Sequence, residues 1–182
     1  MGVTSCPGLS VITMSRSYLL VIGEATPLAW VLAEQRMAFP AIRKSQAAAL
    51  DIGDELLIYA TRTCFHNPKR DRGRVIGLAL VSSDVRDLAE PIVFGERRYT
   101  SGCTLDIQSV APLHNGVELR PLVPKLHAFP DGRTWNMRLR RPLVPVDKHD
   151  AALLKHRLNP LLEPLNRHLD AYIKAGRYPA RS

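Results

Sequence analysis

Residues 50 to 81, LDIGDELLIYATRTCFHNPKRDRGRVIGLALV, constrain the fold more tightly than any other stretch of the chain. Two apolar runs, Glu55 to Ala60 and Arg74 to Ser82, flank a polar, basic connection. The first run is entered through Gly53-Asp54, a turn dipeptide. The second carries VIGLALV, apolar almost throughout, which suits a strand buried on both faces or lining a small barrel. Between them Arg62, Lys69, Arg70, Arg72 and Arg74 face one acid, Asp71. A rigid strand pair presenting a cationic loop is a binding platform more than a catalytic one. Asp54, after Gly53, reads as a turn residue.

The flanking segments supply further elements. YLLVIG, Tyr18 to Gly23, is short, β-branched and aromatic, and predicts a buried first strand. Thr26-Pro27 then predicts a helix start, with threonine as N-cap and proline at the first helical position. Leu28, Val31, Leu32 and Met37 recur at helical spacing, and Trp30 lies off that stripe as a packing anchor or a pocket wall. Phe39-Pro40 ends the helix. AIRKSQAAAL predicts a short helix with Arg43 and Lys44 near its start, where cations oppose the macrodipole by a few tenths of ~1 kcal/mol. Such placement hints that they serve something outside the helix, such as a phosphate.

Residues 83 to 102 read as connection. Alternation in CTLDIQSV, Cys103 to Val110, predicts a half-buried strand closed by a hairpin-type turn at Asn115-Gly116. GVELRPLVPKL reads as an irregular return strand or a short helix, because Pro121 and Pro124 exclude it from mid-sheet. Trp135, Met137 and Leu139 alternate with Asn136, Arg138 and Arg140, which predicts a strand with one apolar and one cationic face. From Asp147 to Gly176 the chain reads as helical, capped by Asp147 or Asp150, broken at Asn159-Pro160 and Pro164, and stopped by glycine.

Composition bounds the class. At 182 residues the chain suffices for one well-packed domain with appendages, and 46% hydrophobic against 23% charged residues is ordinary for a globular protein. The net charge of +8 favours polyanion partners, chiefly nucleic acid or an anionic membrane surface, and residues 133 to 182 hold eleven Arg and Lys against four acids. Residues 1–14 read as a disordered or mis-started extension, 15–160 as the domain, and 161–182 as a helical tail. No apolar run approaches the ~20 residues of a membrane span. Cys6, Cys64 and Cys103 form no CxxC and no Cys/His cluster at ligand spacing, so neither zinc, nor another cofactor, nor a disulfide is expected; a reducing cytoplasm fits. There is no P-loop, GxGxxG, HExxH or GxSxG. The histidines His66, His114, His127, His149, His156 and His168 are scattered and read as surface groups without a recurring carboxylate partner.

The element order then becomes specific. A first strand YLLVIG, a helix, a basic short helix, an ALDIGDELLIYAT strand and a GRVIGLALVSS strand together resemble the EVE domain family of the PUA-like superfamily, which also includes YTH and ASCH domains. The matching positions are Leu50, Gly53, Asp54, Leu56 to Tyr59 and Val75 to Leu80, and WNMRLRRPLVPV is similar to the family's closing segment. The likeness spans residues 17 to 160. It implies an α+β fold, a PUA-like mixed β-barrel flanked by short helices, here with a C-terminal helical extension. It also implies recognition of a nucleobase, often modified, without catalysis. On that reading Trp30, Tyr59, Thr61 and Trp135 line the base pocket, and Arg43, Lys44 and Arg62 contact phosphate. One departure stands out: relatives carry an Arg-Asn-Tyr-Gln-like run where this chain has Phe39-Pro40-Ala41-Ile42-Arg43, so groups that would read a base edge are replaced by Ala and Ile. Two other functions fit the same fold: a protein-interaction module using residues 151–182, and a small ASCH-type enzyme.

Overall fold

The near-continuous apolar content of the two central strands leaves neither face free for water. In the computed structural model, which describes residues 14–179, Glu55–Ala60 (β3) and Arg74–Val81 (β4) pair antiparallel. Leu56, Ile58, Ala60 and Ile76 point into one core, while Leu57, Tyr59 and Val75 point into a second core on the opposite face. Ser17–Ile22 (β1) lies parallel to β3, with Leu19 opposite Leu57. A parallel neighbour requires a crossover, which Ala25–Glu34 (α1), Arg36–Phe39 (β2), a 3₁₀ turn at Ala41–Arg43 and Lys44–Ala47 (α2) provide.

The remaining strands curl this sheet into a half-barrel. Arg86–Phe94 (β5) folds back on Arg97–Val110 (β6), and β6 is long enough to serve two neighbourhoods. Its first half pairs with β5 and β2, its second with β4. The strand order is β2-β6-β4-β3-β1-β8, where β8 is Leu143–Val146. Val117–Glu118 (β7) pairs with β4 beside this path, and Glu163–Pro164 (β9) pairs with the end of β6.

Helices close the two cores. Leu165–Gly176 (α5) and α1 pack into the first, where the buried Tyr172 hydroxyl donates to the Ala111 carbonyl at 2.8 Å. Lys148–Leu158 (α4) places Ala151, Leu154 and Leu158 in the second. Asp147 caps α4 as expected, accepting from the Asp150 amide at 2.8 Å. Asp54 is a turn residue and more: buried, it accepts from the Arg16 and Asp51 amides at 2.9 Å each, joining the entries of β1 and β3.

Several local expectations are corrected. Glu24, not Thr26, occupies the N-cap of α1, and the Thr26 hydroxyl instead donates to the Gly176 carbonyl at 2.6 Å. Met37 belongs to β2, because Gln35 turns left-handed (φ 52°) and ends the helix before it. Residues 83–102, expected as connection, are mostly strand: from Arg86 onward they form β5 and the first part of β6. Asn115-Gly116 turns the chain, yet β7 pairs with β4 rather than returning on β6. Trp135–Arg138 is a single helical turn (α3) after Thr134, not a strand, and GVELRPLVPKL resolves into β7 and a 3₁₀ segment at Arg120–Lys125. Cys6 and residues 1–13 of the expected N-terminal extension lie outside the described residues.

Candidate functional site

β2 and β8 end the strand order, and the half-barrel is open between them. β8 pairs with β1 only as far as Leu20, after which the Val21 amide bonds the Pro142 carbonyl at 2.9 Å. Proline has no N–H to continue the ladder. Beyond Val21 the end of β1 therefore keeps only β3 as a partner, and the segment from Leu20 to Glu24 borders a cleft of about 520 Å³. Pro27, Trp30 and Val31 of α1 and Met37 to Phe39 of β2 form its apolar walls.

Aromatic and cationic groups meet at this cleft. Trp30 stands edge-on to Phe94 at 5.8 Å, and Phe94 edge-on to Tyr99 at 5.7 Å. Arg43, Arg97, Arg98, Arg140 and Arg141 also line it. Arg97 lies 3.4 Å from Glu24, the cleft's one acid. Among the described residues Arg43, Arg98, Arg140 and Arg141 have no carboxylate partner. Unpaired guanidiniums around an aromatic, apolar cleft favour an anionic ligand with a flat ring.

The sequence-predicted residues divide between two clefts. Trp30, Arg43 and Thr61 line the first. Tyr59, Thr61, Arg62 and Trp135 line a second, of about 1020 Å³, together with Arg72, Arg120 and Arg140. The division follows from strand alternation: Tyr59 points to the opposite face of the sheet from Trp30. Thr61, at the end of β3, borders both clefts, with its hydroxyl 3.3 Å from that of Thr63. Trp135 packs edge-on to Phe129 at 6.0 Å. Burial pushes the Tyr59 hydroxyl up to about 12, so it stays a neutral donor. Lys44 lines neither cleft and pairs with Asp87 at 2.9 Å.

Sequence reasoning missed Phe94, Arg97, Arg98 and Tyr99. A sign was there: IVF-GE-RRYT is two strand-forming runs around a two-residue loop opening with glycine. Gly95 takes φ 59° at the first loop position, as such hairpins require. The loop between β3 and β4 is less cationic than its composition. Asp71 is buried and accepts from the Arg70 guanidinium at 2.7 and 2.9 Å, and Arg74 pairs with Glu118 at 3.2 Å. Four histidines do have carboxylate partners: His114 with Asp71, His127 with Asp147, His149 with Asp150, and His168 with Glu163.

The sequence matches no protein-family model and no curated protein. Solved structures do match. A hypothetical protein from Leishmania major shares 16% identity over 78% of this chain and 93% of its own, at a TM-score of 0.50. The likeness is one of fold. The α+β architecture implied by the sequence is the one observed, a curled mixed sheet forming a half-barrel with short helices, although α5 packs into the first core and is no mere extension of it. The matches also include the Pho92 YTH domain solved with m6A, at 17% identity, 66% and 70% coverage and a TM-score of 0.44. Human THYN1, solved with DNA containing 5-methylcytosine, matches at 13% identity, 76% and 95% coverage and a TM-score of 0.42.

Proposed function

We propose that the chain is a nucleic-acid-binding module that takes one base, extruded from its stack, into the Trp30 cleft. The observation that carries this reading is the set of unpaired arginines, Arg43, Arg98, Arg140 and Arg141, around a cleft walled by Trp30, Phe94 and Tyr99. Extrusion costs a few kcal/mol, and aromatic stacking returns about 1–3 kcal/mol per base. Contacts to flanking phosphates therefore carry a share of the affinity, which the arginines supply. Glu24 and the Thr61 hydroxyl can bond the base edge, as acceptor and as donor or acceptor. The apolar wall of Pro27, Val31 and Met37 suits a methylated base, where a polar cleft would not. The module binds and performs no chemistry on the base in this reading, and it works in the cytoplasm, where Cys64 and Cys103 stay as buried free thiols.

Fluorescence anisotropy with labelled single-stranded DNA and RNA, methylated and unmethylated, tests the proposal across ~50 to 200 mM salt. Binding is expected to weaken steeply with salt. Arg43→Ala and Arg98→Ala are each expected to lower the salt slope by about 0.7, one phosphate contact apiece on a single strand. Absence of binding at the lowest salt, or slopes unchanged in both variants, contradicts the assignment of this cleft.

A further inference from the structure

We propose that His127, Asp147, His149 and Asp150 form a site for a divalent transition-metal ion of the zinc class. One ligand atom from each of the four residues lies within 4.8 Å of all the others. They come from two segments, His127 from the turn after the Arg120–Lys125 helix and the other three from the cap and first turn of α4. None of the four lines either cleft.

The backbone already holds these donors in place. Asp150 is fully buried, and its two oxygens accept from the His127 amide at 2.9 Å and the Ala128 amide at 2.7 Å. Asp147 spends one oxygen on the α4 cap and leaves the other facing His127. The two imidazoles stack at 4.4 Å with planes 17° apart. Each presents Nδ1 to a carboxylate, His127 at 2.7 Å from Asp147 and His149 at 3.1 Å from Asp150. Both ring nitrogens and both carboxylates thus converge on one small volume.

Charge separates a cation site from a pair of ordinary histidine–aspartate hydrogen bonds. The chain has 25 Lys and Arg against 17 acids. The other buried carboxylates use that surplus: Asp54 has Arg16 at 3.1 Å and Asp71 has Arg70 at 2.7 Å. Among the described residues Asp147 and Asp150 have no Lys or Arg partner, only the two imidazoles. With neutral rings the cluster carries two negative charges, one of them fully buried, and burial of charge without a countercharge is costly. A divalent ion balances them. Two imidazoles and two carboxylates match zinc, whereas magnesium and calcium prefer oxygen ligands throughout. On binding, metal–nitrogen and metal–oxygen bonds replace the imidazole–carboxylate hydrogen bonds, and each neutral ring keeps its proton on Nε2. The ion would pin the 127–128 turn to α4 and so brace the second core.

The test uses the full chain, stripped of metal with a chelator and then titrated with Co²⁺ and Zn²⁺. One ion per chain is expected, with visible Co²⁺ bands that Zn²⁺ abolishes and a rise in melting temperature with Zn²⁺. His127→Gln and His149→Gln are each expected to weaken binding by at least ~10-fold, the lower end of what loss of even an outer-shell partner costs. His168→Gln, which removes a histidine paired elsewhere with Glu163 at 3.0 Å, is expected to change nothing. Circular dichroism establishes that the variants are folded. Should either fail, Asp147→Asn, which retains a helix cap, gives the same reading. Absence of saturable one-to-one binding overturns the proposal, as does Zn²⁺ affinity unchanged in the folded variants.

Discussion

Tyr59 and Gly73 meet so closely that neither could be exchanged for a larger residue. A Cβ on Gly73 would lie 1.9 Å from the Tyr59 hydroxyl oxygen and 2.7 Å from its Cζ. Tyr59 sits in the second core with 3% of its surface exposed, so it has little room to retreat. Gly73→Ala is expected to destabilise the fold by about 1–3 kcal/mol, the usual cost of overpacking, read as a lower urea midpoint at unchanged slope. Asp71 yields a pH dependence. The Arg70 side chain, through its paired hydrogen bonds, holds the Asp71 carboxyl below the usual carboxylate range. A depressed folded value contributes stability that is present above the unfolded value, near ~4, and is lost as pH falls through the folded value. Asp71→Asn is therefore expected to be less stable than the wild type at neutral pH and to lose less on acidification below about pH 4. Urea midpoints across that range measure both. These pairings also show why the charge of the β3–β4 loop was misjudged from sequence: counting five cations against one acid says nothing of Glu118, which meets Arg74 across the sheet.

At the scale of elements, the strands with two buried faces were plain in the sequence, because VIGLALV and ELLIYA have no polar period to confuse. β5 and the first half of β6 were not, since SDVRDLAEPIVFGERRYT is mostly exposed and its strands are held by ladder hydrogen bonds and not by an apolar face. The Trp135 turn was misread for a related reason: Trp135, Met137 and Leu139 alternate, but Met137 is exposed and the alternation faces no sheet. The α1–α5 contact was also hidden, since it rests on small residues 150 positions apart, Thr26 and Gly176. A Cβ on Gly176 would lie 2.5 Å from the Ala25 carbonyl oxygen and 2.6 Å from the Ala29 Cβ. In an isolated helix Gly→Ala gains about 1 kcal/mol. Here Gly176→Ala is expected to lower the melting temperature instead, because the helices must separate; a calorimetric scan decides the sign.

At the scale of the whole molecule, the Trp30 cleft is made of segments that no local pattern joins: the end of β1, the face of α1, the edge of β2, the β5–β6 hairpin and the strand entry at Leu139–Pro142. The sequence resemblance drew attention to Trp30, Arg43 and Thr61, which the fold brings to one cleft, and to Tyr59, Arg62 and Trp135, which it sends to another with Thr61 between them. Which cleft takes the base is the central question, and the two tryptophans can answer it because each lines a different one. In a Trp135→Phe protein only Trp30 emits. Its fluorescence, followed alongside the anisotropy of a bound oligonucleotide, is expected to quench with the same midpoint, and Arg43→Ala is expected to shift both curves together. An oligonucleotide that binds while Trp30 emission stays unchanged would contradict the account.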